Sequence, residues 1–107
     1  SLAMAMDAYA HQPVAFETVR SLGRGWIAEE ALGIGVYCAL VAGTVFEKGI
    51  TLAVNHDGDS DSTGAITGNL LGALLGRAAI PEKYLDKLEL VNLIGEIAGD
   101  LYALVAE

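Results

Sequence analysis

The chain has one cysteine, Cys38, and two prolines, Pro13 and Pro81, among 107 residues. A lone thiol closes no internal disulfide, so a disulfide scaffold is excluded. Its neighbours are apolar and it falls mid-pattern in a helical stretch, so Cys38 reads as buried and inert. Sparing use of cysteine points to a cytoplasmic protein. Cations are scarce too: six Lys and Arg face fourteen Asp and Glu, a net charge of −8. Such a surface repels a phosphate backbone, so no nucleic-acid partner is expected. No apolar run reaches the ~20 residues that span a bilayer. The best candidate, Gly64 to Ile80, is interrupted by Asn69 and Arg77, and no membrane partner is expected. No basic n-region or cleavage pattern marks a signal peptide. Strand-like alternation is missing throughout.

What is present is apolar and helical. Hydrophobic residues make up 53% of the chain, enough for one core and one domain over 1–107. The opening, Ser1-Leu2-Ala3-Met4, lies inside a helical pattern. This and the apolar content point to a portion of a larger domain. A first helix ends near Ala10. His11 is expected in a solvated loop, and Pro13 in the first turn of a helix carrying Phe16, Val19 and Leu22. Gly23-Arg24-Gly25-Trp26 reads as a turn. Trp26 either packs on the next helix, the favoured reading, or stacks on a ligand.

Ile27 to Ala42 is apolar or small on every face after its first turn, as in a helix buried on several sides. Thr44 is placed to cap the next helix, Val45 to Val54, with Phe46, Ile50 and Val54 on one face. A helix from Ser60 or Asp61 to Leu75 follows. It carries Gly64, Gly68, Gly72 and Gly76 at every fourth position. Glycine weakens a helix by ~1 kcal/mol relative to alanine. Close approach of another helix is the expected reason, with room for a ligand as the alternative. Pro81 starts a helix to about Leu88. The last helix, Val91 to Ala106, places Val91, Ile94, Ala98, Leu101 and Val105 on one face. The fold class is all-α, a compact multi-helix bundle.

The chemistry gathers between Asn55 and Gly64, where Asp57, Asp59, Asp61, Ser60, Ser62 and Thr63 crowd together. Carboxylates this close repel one another unless a cation joins them. Carboxylate and hydroxyl oxygens suit hard divalent ions. The competing reading is a solvated acidic turn capping a helix. Among metal motifs, an EF-hand loop would put Asp57, Asp59 and Asp61 at the first, third and fifth positions. Its sixth and twelfth positions, Gly and Glu, are Ser62 and Gly68 here. Asp59-Ser60-Asp61-Ser62-Thr63 also has the letters of a haloacid-dehalogenase-type phosphotransferase, a fold that needs a parallel sheet. The third reading is a helical metal site in which Asp59 and Asp61 turn toward one cation or bridge two.

The run Gly58-Asp59-Ser60-Asp61-Ser62-Thr63-Gly64-Ala65-Ile66-Thr67-Gly68-Asn69-Leu70-Leu71-Gly72-Ala73 closely resembles the C-terminal metal motif of the ADP-ribosylglycohydrolases, of the dinitrogenase reductase-activating type. Gly25-Trp26-Ile27-Ala28-Glu29-Glu30-Ala31-Leu32 resembles the helix before that motif. Ile80-Pro81 with Tyr84-Leu85 resembles the segment after it. The resemblance covers about Gly23 to Leu88 and implies the C-terminal portion of an ADP-ribosylglycohydrolase-like fold. By implication the intact protein is a hydrolase with a dinuclear Mg²⁺ or Mn²⁺ site. It removes ADP-ribose from protein side chains or small acceptors. Asp59, Asp61 and Ser62 would be metal ligands, Ser62 standing where the family usually has Thr and Asp61 bridging the ions. Asp57, Thr63 and Trp26 would lie behind the metal or on the substrate.

Two departures stand out. His56-Asp57 replaces small residues ahead of Gly58, and His56 reads as structural. The family's N-terminal half carries a further Ser/Thr-Asp-Asp motif that has no counterpart before Asp59. Asp7, Glu17, Glu29, Glu30 and Glu47 are isolated or cap helices. The chain is thus expected to hold half of the ligands, and to be inactive without a missing N-terminal segment. The expected partners are that segment, an ADP-ribosylated protein or ADP-ribose-containing small molecule, and further copies of the chain through surfaces left open. The alternative is a truncated homologue acting as a non-enzymatic helical interaction module.

Overall fold

The computed structural model describes residues 2–11, 15–56 and 58–106. Among them are seven α-helices, one short 3₁₀ turn and no strand. The helices are α1 (Leu2–His11), α2 (Ala15–Ser21), α3 (Ala28–Ala42), α4 (Phe46–Val54), α5 (Ser60–Leu75), α6 (Glu82–Leu85) and α7 (Val91–Val105), with the 3₁₀ turn at Arg77–Ala79 between α5 and α6. The all-α expectation holds, and the sheet that a haloacid-dehalogenase-type fold requires is not found among the described residues. Pro13 and its expected place in the first turn of α2 lie outside them. His11 closes α1 rather than sitting in a loop.

The centre is α3. Glu29 and Glu30 occupy its first turn, where the helix dipole favours acids. Its small residues then let neighbours approach from several sides: Ala31, Gly33, Ile34, Gly35, Tyr37, Cys38, Ala39 and Ala42 are all buried. Helices α1, α4 and α5 pack against it, with α2 at one end. One core cluster joins Ala5, Val19, Leu22, Ile34, Tyr37, Cys38, Leu52 and Ala53. A second joins Ala39, Ala42, Phe46 and Leu71. Burial pushes the Cys38 thiol up to about 12, so it is inert as expected. Gly43, at φ 60°, ends α3 with its N–H on the Ala39 carbonyl.

Two local expectations fail around α4. Thr44 does not cap it; the cap position is Val45, with no side-chain bond. The buried residues are Phe46, Gly49, Leu52 and Ala53; Ile50 is half-buried against the second cluster, as expected, while Val54 is exposed. The reason is that α4 lies between α2, α3 and α5, which widens its buried face past a simple every-fourth stripe.

The glycine stripe of α5 behaves differently from the expectation as well. Only Gly64 is pressed by α4, where an added Cβ would stand 2.8 Å from Val54 Cγ1. Gly68 has ordinary clearance, Gly72 faces open space, and Gly76 ends the helix at φ 79°. The tight contacts run the other way. Glycines of neighbouring elements admit α5 side chains: Gly35 takes Ile66, and a Cβ there would be 2.6 Å from its Cγ2. Gly25 likewise faces Thr63.

Beyond α5 the chain is thinly packed. The helix at Pro81 lasts only from Glu82 to Leu85. Lys83 pairs with Glu47, and the Tyr84 ring meets Phe46 at 6.3 Å between centroids. No residue of α7 is buried. Val91, Ile94 and Ala98 line a shallow cavity with Ile80, Leu85 and Leu88, but Leu101 and Val105 are 59% and 77% exposed. The face expected to pack therefore finds a partner in this chain only along its first half. No described helix is long and apolar enough to cross a membrane.

Candidate functional site

The acidic stretch forms the loop from α4 into α5, and a second loop, Gly23–Ile27, is pressed against it. The Asp59 N–H donates to the Arg24 carbonyl at 2.6 Å. Gly58 lies so close to the Arg24 backbone that a Cβ would overlap its carbonyl oxygen and stand 2.6 Å from its Cα. The Arg24 N–H donates in turn to Glu30 Oε1 at 3.3 Å, which ties the Gly23–Ile27 loop to α3. Two glycine-bearing loops thus meet backbone to backbone and place α5's first turn.

Asp59 is the N-cap of α5. Its Oδ1 accepts the Ser62 N–H at 3.2 Å and its Oδ2 accepts the Ser62 hydroxyl at 2.8 Å. These bonds, the hydroxyl first, hold the Asp59 carboxyl below the usual carboxylate range. Asp61, one residue into the helix, is exposed, and among the described residues its carboxylate has no partner. The structure therefore brings Asp59, Asp61 and Ser62 together on one turn. Asp57 lies outside the described residues. Trp26 is 72% exposed at the outer edge of its loop; the favoured reading, packing on the next helix, does not hold.

Behind that turn runs a chain of hydrogen bonds. The Gly58 N–H donates to His56 Nδ1 at 3.0 Å, which leaves Nε2 to carry the ring proton. Nε2 donates to Thr63 Oγ1 at 2.8 Å, and Thr63 donates to the buried Ala53 carbonyl at 2.7 Å. Thr63 has no exposed surface, so its place is behind the site and not on a substrate. Both ring nitrogens of His56 are engaged in this chain of bonds. This chain staples α4 to α5 across the acidic loop. Replacing Thr63 by valine keeps the shape but strands the Ala53 carbonyl and the His56 Nε2–H. The expected loss is about 2–3 kcal/mol, read as a lowered denaturant midpoint with an unchanged slope. An unaltered midpoint would remove the staple from the account.

The donor chemistry is that of a hard divalent cation: oxygen only, with the Asp61 carboxylate free and a second lone pair open on each Asp59 oxygen. Its extent is limited. Among the described residues no three His, Cys, Asp or Glu side chains converge. Sequence reasoning found the carboxylates through their density. It missed Arg24 as the backbone that receives Gly58 and Asp59, because that contact joins residues 34 and 35 positions apart. The paired glycines around Arg24 were the available signal.

Comparison with known proteins bears on this arrangement. The chain is 40% identical over 62 residues to "ADP-ribosylarginine hydrolase Tri1" of Serratia proteamaculans, covering 58% of this chain and 17% of that protein. It is 36% identical over 86 residues to an uncharacterized protein of Archaeoglobus fulgidus, covering 80% of this chain and 27% of that one. The chain thus spans well under a third of either relative's length. No solved structure matches it. The sequence model of the ADP-ribosylglycohydrolase family matches residues 1–107. With a helical fold and a family match over residues 1–107, this chain belongs to the ADP-ribosylglycohydrolase family.

Proposed function

We propose that the chain supplies one part of a Mg²⁺- or Mn²⁺-dependent site that hydrolyses the bond joining ADP-ribose to a protein side chain or a small acceptor. The observation that carries this reading is the grouping of Asp59, Asp61 and Ser62 on the first turn of α5, in a chain of this family. In this reading Asp59, Asp61 and Ser62 hold the metal, with Asp61 as the freer ligand. When bound, the metal would supply an activated water and orient the ribose hydroxyls. Ser62 orients Asp59 through two hydrogen bonds. The His56–Thr63 chain keeps the turn from shifting. Trp26 stands at the rim, where an aromatic face suits a base or sugar.

Three protein oxygen groups fall short of the six ligands a Mg²⁺ ion takes. The remainder would come from water, substrate and an acidic N-terminal segment of the larger family domain. An ADP-ribosylated arginine is the first substrate to test, since one relative's name specifies it.

Mn²⁺ titration followed by electron paramagnetic resonance tests the metal reading, in the protein joined to the rest of the family domain. Asp59→Ala and Asp61→Ala should each weaken binding by about tenfold or more, since even the outer partners of metal ligands are worth 10–100-fold. Undiminished binding in both variants would sink it. A second reading, a non-enzymatic helical module, is favoured by one observation: Ile97, Leu101, Tyr102 and Leu104 of α7 are half or more exposed. A chain that self-associates yet takes up no Mn²⁺ would favour that reading.

A further inference from the structure

Glu29 and Glu30 both stand in the first turn of α3, where the helix dipole favours acids. That accounts for Glu29, which is exposed and has no hydrogen-bond or ion-pair partner among the described residues. It does not account for Glu30. The Glu30 side chain is half-buried and lies on Gly23, where an added Cβ would stand 2.5 Å from Cδ and 2.7 Å from Oε2. Its Oε1 accepts the Arg24 N–H at 3.3 Å. The loop it holds, Gly23–Ile27, turns on two glycines with left-handed backbone, Gly23 at φ 111° and Gly25 at φ 76°. Such a loop has little stiffness of its own and takes its place from its neighbours. On its other side those neighbours belong to the candidate site. The Arg24 carbonyl accepts the Asp59 N–H, the Arg24 backbone lies against Gly58, and a Cβ on Gly25 would stand 2.8 Å from Thr63 Cγ2. Arg24 is thus held at its N–H by α3 and at its carbonyl by the N-cap of α5.

We propose that Glu30 is a positioning residue of the candidate metal site: it seats the Gly23–Ile27 loop, and the loop in turn seats Asp59 and the first turn of α5. The assignment rests on the hydrolase reading above. Glu30 itself touches neither metal nor substrate and acts through the Arg24 backbone. Because α3 is the packed centre of the fold, this contact ties the turn that carries Asp59, Asp61 and Ser62 to the core.

Two readouts test this in the protein joined to the rest of the family domain: Mn²⁺ affinity by electron paramagnetic resonance, and hydrogen exchange of the Asp59 amide without metal. Glu30→Ala frees the Arg24 N–H and should weaken Mn²⁺ binding about tenfold, as loss of a group that orients a metal ligand does. The Asp59 amide should exchange faster by a similar factor, about tenfold. Glu30→Gln keeps an acceptor oxygen at the same reach and should bring both readouts back close to wild type. Glu30→Asp keeps the charge but is a methylene too short for a bond already 3.3 Å long, and should behave like Glu30→Ala. Glu29→Ala removes the same first-turn charge and should change neither readout. Ile34→Val trims the core and lowers the melting temperature, yet should leave Mn²⁺ affinity as it is. Wild-type Mn²⁺ binding or wild-type Asp59 exchange in Glu30→Ala would overturn the proposal, as would failure of Glu30→Gln to restore them. A failed metal reading would appear separately, as Mn²⁺ binding that survives Asp61→Ala. The Asp59 exchange rate would then still decide whether Glu30 sets the turn.

Discussion

In the protein joined to the rest of the family domain, Asp61→Ala should lower turnover of an ADP-ribosylated substrate by about a hundredfold or more while leaving the fold intact. The first part follows from the proposed ligand role, because removing a metal ligand costs at least as much as removing its supporting partner, ~10–100-fold. The second follows from the structure. Asp61 is exposed and no described residue depends on it. Its contribution to stability is the favourable placement of one acid in a helix's first turn, about 0.3–1 kcal/mol. Asp59 offers no such separation, since it both caps α5 and fixes Ser62. Turnover and melting temperature measured together on the same preparation check the prediction. Wild-type turnover in Asp61→Ala would remove the catalytic assignment; a collapse of the melting temperature would show that the loss was structural.

Gly58→Ala should do the reverse and cost the fold. The added methyl would run into the Arg24 carbonyl group, and the atoms in its way are backbone atoms that cannot rotate aside. Relief requires the two loops to separate, which breaks the Asp59 N–H bond to Arg24 and withdraws the cap from its place. Overpacking of a tight site costs about 1–3 kcal/mol, more where the neighbour cannot yield. We expect the upper end, about 3 kcal/mol. For a chain of this size that is a fall of roughly 10 °C or more in melting temperature by circular dichroism. The position is restrictive through space, since the atoms an added Cβ would meet belong to the Arg24 backbone. A melting temperature within about 2 °C of the wild type, under half a kcal/mol, would show that the loops are not in contact as described.

These two substitutions lie three residues apart, one in the loop before α5 and one in its first turn, yet the expected consequences divide between chemistry and architecture. Charge density drew attention to Asp59 and Asp61, the family resemblance added Ser62, and all three fall on one turn. Nothing in the charge pattern distinguishes Thr63, which resembles Ser62 in chemistry. Its burial and its bond to Ala53 depend on where α4 ends relative to α5. Likewise Glu30 reads as one of two acids in a helix's first turn; only the fold lays it on Gly23 and Arg24.

The sequence by itself determined the helices, because apolar periodicity, a capping aspartate and terminating glycines act within a few residues of each other. It determined the hard-oxygen character of the candidate site and the family, since both reside in one continuous motif. Tertiary structure alone decided which faces are buried. The stripe of α5 glycines promised a close crossing, but apart from Gly64 the close approaches are made by Gly25, Gly35 and Gly49 of other elements receiving α5 side chains. The face of α7 promised a core contact, but half of it stays exposed, with no described element laid against it. Periodicity states that a face is apolar. What covers it depends on elements distant in the chain, and that information is not local.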